Sequence, residues 1–147
     1  MKKMSLIPIL PQILLSHKEW FESKGRGGIF ADLSEEDLKN SNFKDAILVE
    51  ANFQGTDLRG ADFENADMRG SNFQDAQLNG ACLKNGNFEE TDLMWANLEN
   101  ADLRNTLLGG AYLQGANLKN TLVTSKQIKF SWTDEDTLLP VGVKASR

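Results

Sequence analysis

The sequence lacks three features found in many small proteins: paired cysteines, an excess of positive charge and a long apolar run. Its 147 residues include one cysteine, so no disulfide can form within the chain, and the free thiol predicts a reducing, cytoplasmic location. Lysine and arginine number 16 against 21 acidic residues, a net charge of −5 that argues against direct binding of nucleic acid through phosphates. No apolar run approaches the roughly 18 to 20 residues needed to cross a bilayer, so no membrane span is predicted.

The first fifteen residues, MKKMSLIPILPQILL, partly match a secretion signal because two lysines precede an apolar run. Pro8 and Pro11 interrupt this run, and no cleavage site of small residues follows it. We therefore expect the segment to belong to the mature protein.

A five-residue period dominates residues 31–128. The centre of each pentad is apolar in all twenty cases, and the residue two positions earlier is Ala, Ser, Thr or Gly in eighteen. Asp or Asn lies between them in thirteen of the twenty pentads. The predicted core consists of the twenty centres: Leu33, Leu38, Phe43, Leu48, Phe53, Leu58, Phe63, Met68, Phe73, Leu78, Leu83, Phe88, Leu93, Leu98, Leu103, Leu108, Leu113, Leu118, Val123 and Ile128.

This period is incompatible with a helix, since apolar residues five apart would spread around the whole helical surface. In a strand the small residue and the centre share one face, and the Asp or Asn between them points outward. The second residue after the centre is Gly or Asn in twelve of nineteen pentads, which predicts a corner with positive φ. Four corners close a coil of twenty residues, in agreement with the unbroken leucine column at Leu38, Leu58, Leu78, Leu98 and Leu118.

Written as A(D/N)LxG with Phe allowed at the centre, these pentads resemble the pentapeptide-repeat family. The resemblance implies a mainly β fold, a right-handed quadrilateral β-helix of about five coils. The flanking sequence His17-Lys18-Glu19-Trp20 and the segment TDEDTLLP at residues 133–140 are similar to those of bacterial, and especially cyanobacterial, members.

The resemblance also implies two different functions. One is a non-catalytic scaffold or protein-interaction module whose partner is unknown. The other is a mimic of duplex DNA that occupies a type II topoisomerase, as some members that confer quinolone resistance do. Residues 31–128 carry sixteen acidic and eight basic residues, and Lys39, Arg59 and Lys119 share one column. This interruption by positive charge favours the interaction module.

Both ends of the coil are expected to be capped. In residues 1–30 we predict a capping α-helix over residues 11–24, whose apolar stripe would lie across the first coil. Residues 129–147 have a composition that predicts a fold-back cap rather than a further coil. Unusually apolar outward residues near the two ends should be covered by these segments, or a dimer could form through the C-terminal end; a monomer is favoured. These residues are Ile47, Val49, Leu107, Tyr112 and Leu122.

Residues with catalytic potential are few. His17, the single histidine, lies on the apolar stripe of the predicted helix and is interpreted as a packing residue. Cys82 takes an outward position and is interpreted as an unreactive thiol. The outward Asp residues fall in different columns or a coil apart, so we interpret them as turn-stabilising groups. The sequence therefore predicts no catalytic, cofactor-binding or metal-binding residue, and a protein that is not an enzyme.

One of the four predicted faces is the candidate interaction surface. It alone has no Lys or Arg, and it carries Met94, Trp95 and Tyr112 at outward positions. Exposed aromatic and Met residues provide large contact areas at small entropic cost, so these three are predicted to anchor a protein partner. Gln74 and Gln114 on the same face are predicted to fix its register. The alternative is that the C-terminal tail, through Phe130 or Trp132, covers the patch.

Overall fold

The computed structural model describes residues 3–146, and in them the backbone is organised by single-residue bridges rather than by extended strands. A 3-10 helix at Ile7–Ile9 leads into α1, Leu10–Glu22, and a one-turn helix, α2, spans Ser125–Ile128. From Asp32 to Asn117 every fifth residue forms a parallel bridge, and in all but the last pair the two partners are twenty positions apart. The chain therefore winds in stacked coils of twenty residues, as the period predicts.

The bridges form four columns, and each column defines one face of the coil. From Asn52 onwards, each bridged outward residue bonds to the preceding coil through both of its backbone groups. For example, the N–H of Asn52 donates to the carbonyl of Ala31 (3.0 Å) and its carbonyl accepts from the N–H of Leu33 (2.8 Å). The columns are Asp32, Asn52, Asn72, Asp92, Tyr112 and Trp132 on face 1; Asp37, Asp57, Gln77, Asn97, Asn117 and Leu138 on face 2; Asn42, Asp62, Cys82 and Asp102 on face 3; and Ile47, Asp67, Asn87 and Leu107 on face 4.

The core lies inside the coils and consists of the predicted centres. All twenty centres are buried, and none is more than 4% exposed, so this prediction is confirmed. Successive coils place like rings above one another: Phe53 and Phe73 stack at 4.8 Å between ring centroids, and Phe43 and Phe63 at 4.6 Å. Inward hydroxyl groups also bond along the stack, as where Thr56 donates to the carbonyl of Leu33 (2.7 Å).

The corners confirm the predicted backbone conformation. The second residue after the centre has a positive φ in every pentad from Glu35 to Asn120. A backbone hydrogen bond closes each corner from Asn40 to Asn120, as from the N–H of Ala46 to the carbonyl of Phe43 (3.0 Å). This conformation is unfavourable for residues other than Gly and Asn, yet Trp95 adopts it with φ of 60°.

The outward Asp and Asn residues stabilise these corners, as predicted. In each of the thirteen pentads that carry one, the side-chain oxygen accepts the N–H of the residue two positions later; Asp92 and Met94 are one example, at 3.0 Å. The carboxylates are therefore part of the turns.

The N-terminal helix closes the first coil. It begins one residue before and ends two residues before the predicted bounds, 11–24. His17 is fully buried; its Nε2 donates to the carbonyl of Val49 and its Nδ1 accepts from the N–H of Ala31, both at 2.9 Å. In later coils the groups equivalent to the Val49 carbonyl and the Ala31 N–H bond to other backbone groups. The imidazole of His17 therefore supplies the hydrogen bonds that a coil before residue 31 would have made. Val49 lies buried beneath the helix, as predicted.

The C-terminal end differs from the predicted fold-back cap. On faces 3 and 4 the ladder ends at Asp102 and Leu107, where the side chain of Gln127 donates to the carbonyls of Leu103 (2.6 Å) and Thr106 (3.1 Å). The tail then returns to the coil on faces 1 and 2, where Trp132 pairs with residue 112 and Leu138 with residue 117. Leu138 is 21 residues after its partner, so the segment between Trp132 and Leu138 contains one residue more than the regular coil.

The apolar residues that were expected to be covered at this end are exposed. Leu107 is 52% and Leu122 64% exposed, because the tail forms half of a sixth coil instead of folding back along the sides. The covering predicted for the ends therefore holds at Val49 and fails for these two leucines.

Candidate interaction surface

Face 1 presents a group of exposed aromatic side chains near its C-terminal end. Trp95 is 53%, Tyr112 43% and Trp132 44% exposed, and Met94 is half-buried beside them. Tyr112 and Trp132 occupy adjacent rungs of one column. We call Met94, Trp95, Tyr112 and Trp132 the Trp95 patch.

Trp132 extends the predicted patch instead of covering it. The sequence interpretation considered this residue only as a possible cover, since residues 129–147 were assigned to a cap. The signal that identifies its place is the register itself: residue 132 is twenty positions after Tyr112, and Ser131 occupies the small inward slot, where it is buried. Phe130 lies at the preceding corner and is 61% exposed.

The position of Trp95 depends on Gly115. The N–H of Trp95 donates to the carbonyl of Gln114 (3.0 Å), and its indole lies against Gly115 in the next coil. A Cβ atom at Gly115 would lie 2.6 Å from Cζ3 of the indole and closer still to Cε3. Because Gly115 has no side chain, the large ring can lie along the stack at a corner where most coils carry small or flexible groups.

The two predicted glutamines are both on face 1 and both half-buried. The N–H of Gln74 donates to Asn72 (2.9 Å), and the side-chain oxygen of Gln114 is buried with no hydrogen-bond partner among residues 3–146. Their role in fixing a partner's register stays a prediction.

Asp134 attaches the tail beside the Trp95 patch. Its Oδ1 accepts the N–H of Gly115 (3.0 Å), the hydroxyl of Thr137 (3.0 Å) and the N–H of Asp136 (3.1 Å). These hydrogen bonds, that from Gly115 first, lower the pKa of Asp134 below its ordinary value and keep it charged. The contact therefore fixes the corner on which the indole of Trp95 lies.

Charge is distributed unevenly over the four faces. On face 2, Arg59 pairs with Asp57 (2.7 Å). On faces 3 and 4, Arg104 pairs with Asp102 and Arg69 with Asp67, both at 2.6 Å. The acidic residues of face 1 in the part of the chain that the structure describes form no such ion pair, and face 1 carries no Lys or Arg. Face 1 thus carries Asp75, Asp92, Asp134 and Glu135 in the same coils as the Trp95 patch or in the adjacent ones, and none of them is in an ion pair of the described residues.

Residues with catalytic potential are separated from one another. His17 is enclosed in the N-terminal cap, as its interpretation as a packing residue requires. Cys82 takes its predicted outward place on face 3, where burial raises the pKa of its thiol and disfavours the thiolate. Within residues 3–146 no three His, Cys, Asp or Glu side chains are close enough together to hold a metal ion. The helices of this region are all too short or too polar to cross a membrane.

Comparison with known proteins agrees with this architecture. A pentapeptide repeat protein from the thylakoid lumen of Arabidopsis thaliana is 30% identical, with a TM-score of 0.65 over 68% of this chain and 70% of its own. A pentapeptide repeat protein of Nostoc PCC 7120 is 18% identical, with a TM-score of 0.66 over 98% of this chain and 93% of its own. HetL from Nostoc sp. PCC 7120, which is involved in the regulation of heterocyst differentiation, is 23% identical, with a TM-score of 0.60 over 88% of this chain and 64% of its own.

No curated protein sequence matches the chain. Residues 29–60, 46–85 and 91–124 match the pentapeptide repeats, in eight copies. The match covers more than half of the sequence and coincides with the bridged coils of the structure. The chain is therefore a member of the pentapeptide-repeat family.

Proposed function

We propose that this protein is a non-catalytic interaction module: a right-handed quadrilateral β-helix that presents the Trp95 patch to a protein partner. The observation that carries the proposal is the exposure of three aromatic side chains together on the one face that lacks positive charge. Aromatic residues that cluster on a rigid surface contribute a large share of the binding energy in many protein interfaces.

The backbone at Trp95 gives independent support. A bulky residue with positive φ costs on the order of 1 kcal/mol relative to glycine, and twelve of the nineteen predicted corners carry Gly or Asn instead. Strain of this kind is found preferentially where a side chain has a functional role. We infer that the indole is placed at this corner for contact with a partner.

DNA mimicry is less well supported. Duplex DNA displays an uninterrupted series of negative charges, about one per 1.7 Å. Here Lys39, Lys44, Arg59, Arg69 and Arg104 lie in ion pairs with carboxylates on three of the four faces, which divides the negative surface. A cytoplasmic location, a monomeric state and the absence of direct contact with nucleic acid or membrane stay predictions from the sequence.

The test is affinity capture from cells that naturally express the protein, using the wild type and a Trp95→Asn/Tyr112→Asn variant. Asn tolerates the positive φ at residue 95, so the variant should remain folded. The matched control is Leu107→Asn/Leu122→Asn, which removes two exposed apolar side chains elsewhere. We expect a partner that is lost with the patch variant and retained with the control. Equal capture by all three proteins would contradict the proposal.

A further inference from the structure

We propose that the segment which binds the Trp95 patch is an arginine-rich segment of a partner protein. This inference rests on the proposed function and names the chemistry of the partner. It follows from the arrangement of carboxylates and aromatic rings on face 1.

Each of two exposed rings has a carboxylate one coil before it in the same column. Asp92 is bridged to Tyr112, and Asp75 occupies the corner column of Trp95, where the N–H of Asp75 donates to the carbonyl of Met94 (3.0 Å). Neighbouring coils are separated by about 4.8 Å, the spacing of bridged strands. A flat cation that lies over the ring can therefore reach the carboxylate of the preceding coil.

The guanidinium group of arginine fits this arrangement better than the ammonium group of lysine. It is planar, stacks on aromatic faces and donates hydrogen bonds along its edge. One arginine side chain can therefore stack on an aromatic ring and donate to the carboxylate one coil before that ring. The C-terminal tail adds the exposed residues Asp134 and Glu135 next to Trp132, and no positive residue lies on this face to compete.

A second copy of this chain would not supply the arginines readily. Three of its arginines, Arg59, Arg69 and Arg104, already donate to carboxylates two residues away on their own chain, at 2.6 to 2.7 Å from Nη2. To use them in a dimer, these ion pairs would first have to break. The other two arginines, Arg26 and Arg147, lie far apart in the sequence, so this chain has no arginine-rich segment and the donors are assigned to a different protein.

The experiment measures binding of a fluorescent peptide of alternating Arg and Gly, with a second peptide in which citrulline replaces every Arg. Citrulline keeps the planar shape and removes the charge. We expect the wild type to bind the Arg peptide at least about tenfold more tightly than the citrulline peptide at near-physiological salt. Equal binding of the two peptides, or no binding of the Arg peptide, would overturn the inference.

Protein variants then locate the site. Trp95→Asn should weaken binding of the Arg peptide about tenfold, and so should Asp75→Asn/Asp92→Asn, since Asn preserves the backbone bond to Met94 and tolerates the corner at residue 75. The matched control is Asp45→Asn/Glu90→Gln, which removes two exposed charges from the corners of faces 3 and 4. An equal loss in the control would show a general effect of net charge and overturn the inference.

The two proposals can fail separately. If a cellular partner is lost with Trp95→Asn/Tyr112→Asn while the Arg peptide does not bind, the interaction module stands and the arginine-rich partner is rejected. If partner capture is indifferent to the patch variant, the proposed function itself is rejected.

Discussion

Nδ1 of His17 accepts the backbone N–H of Ala31 across 2.9 Å, and this bond defines the protonation state of the ring. Since Nδ1 is the acceptor, the proton of the neutral imidazole is on Nε2, which donates to Val49. A second proton on Nδ1 would point at another donor. The first coil is therefore closed by a neutral histidine.

The stability of the protein should fall as the medium is acidified through the range of histidine titration. Burial lowers the pKa of His17 below 6.5, although the carbonyl of Val49 and the charge of Glu50 oppose this shift. The unfolded chain therefore binds more protons than the folded protein between the lowered pKa and 6.5, so stability is complete above that range and decreases as the pH falls through it. We expect a loss of up to about 1 kcal/mol, or about 3 °C in Tm, between about pH 7.5 and about pH 5.5.

Thermal unfolding of a His17→Gln variant provides the control, because glutamine does not titrate. Its Tm should be lower than that of the wild type at neutral pH and nearly constant over the same pH range. The same pH dependence in both proteins would assign the effect to other groups.

Replacement of Gly115 should disturb Trp95, whereas the same replacement at another corner should be tolerated. Gly80 has a similar positive φ, and no neighbouring atom lies within 4 Å of the place that a Cβ atom would take there, so Gly80→Asn should change stability by less than about 0.5 kcal/mol. Gly115→Asn should cost about 2 kcal/mol, because the new side chain displaces the indole. Chemical denaturation measures both values, and equal costs would show that the ring is not fixed at this position.

The coil register is tested by a pair of adjacent substitutions. Leu78 is fully buried in the leucine column, so Leu78→Asp buries a carboxylate without a partner and should cost about 4 kcal/mol or more. Gln77→Asp alters the exposed residue beside it, at a position where the preceding coil already carries Asp57. The first variant should be insoluble or unfolded by circular dichroism and the second folded. A soluble, folded Leu78→Asp protein would contradict the register.

Loss of the N-terminal cap should cause the protein to aggregate through its first coil. Deletion of residues 1–24 removes α1 and leaves unpaired backbone groups on an open edge, which favours association with other chains. Leu10→Asp should act in the same direction, because Leu10 is 4% exposed, while Leu15→Asp, at 69% exposure on the same helix, is the control. Light scattering during heating measures aggregation; a monodisperse, equally stable deletion variant would show that the helix is not a cap.

The repeated part of the fold could be predicted almost completely, because each pentad gives the same information about burial, direction and corner. The centres from Leu33 to Ile128 and the corners from Glu35 to Asn120 are where the period places them. The turn-stabilising role of Asp and Asn follows from the same alternation. Repetition supplied many independent indications of one geometry.

The C-terminal end could not be predicted in this way, since single residues determine it. The side chain of Gln127 bonds to two carbonyls of the fourth coil, and one extra residue before Leu138 shifts the register of the tail. Neither feature has a counterpart elsewhere in the sequence. Met94, Trp95 and Tyr112 were assigned correctly to one face by their spacing. The same register places Trp132 twenty positions after Tyr112, but the assignment of residues 129–147 to a cap concealed it.

The contact between a corner side chain and the residue twenty positions later has an evolutionary consequence. Glu35 lies over Gly55, Asn40 over Gly60 and Trp95 over Gly115, whereas Gly80, which follows Gly60, has open space around it. Substitutions at these paired positions should therefore be inherited together: a large corner residue can become established only where a glycine already follows one coil later. Among related sequences, tryptophan at the position of Trp95 should be found with glycine at that of Gly115, and only loss of the tryptophan should allow the position of Gly115 to vary.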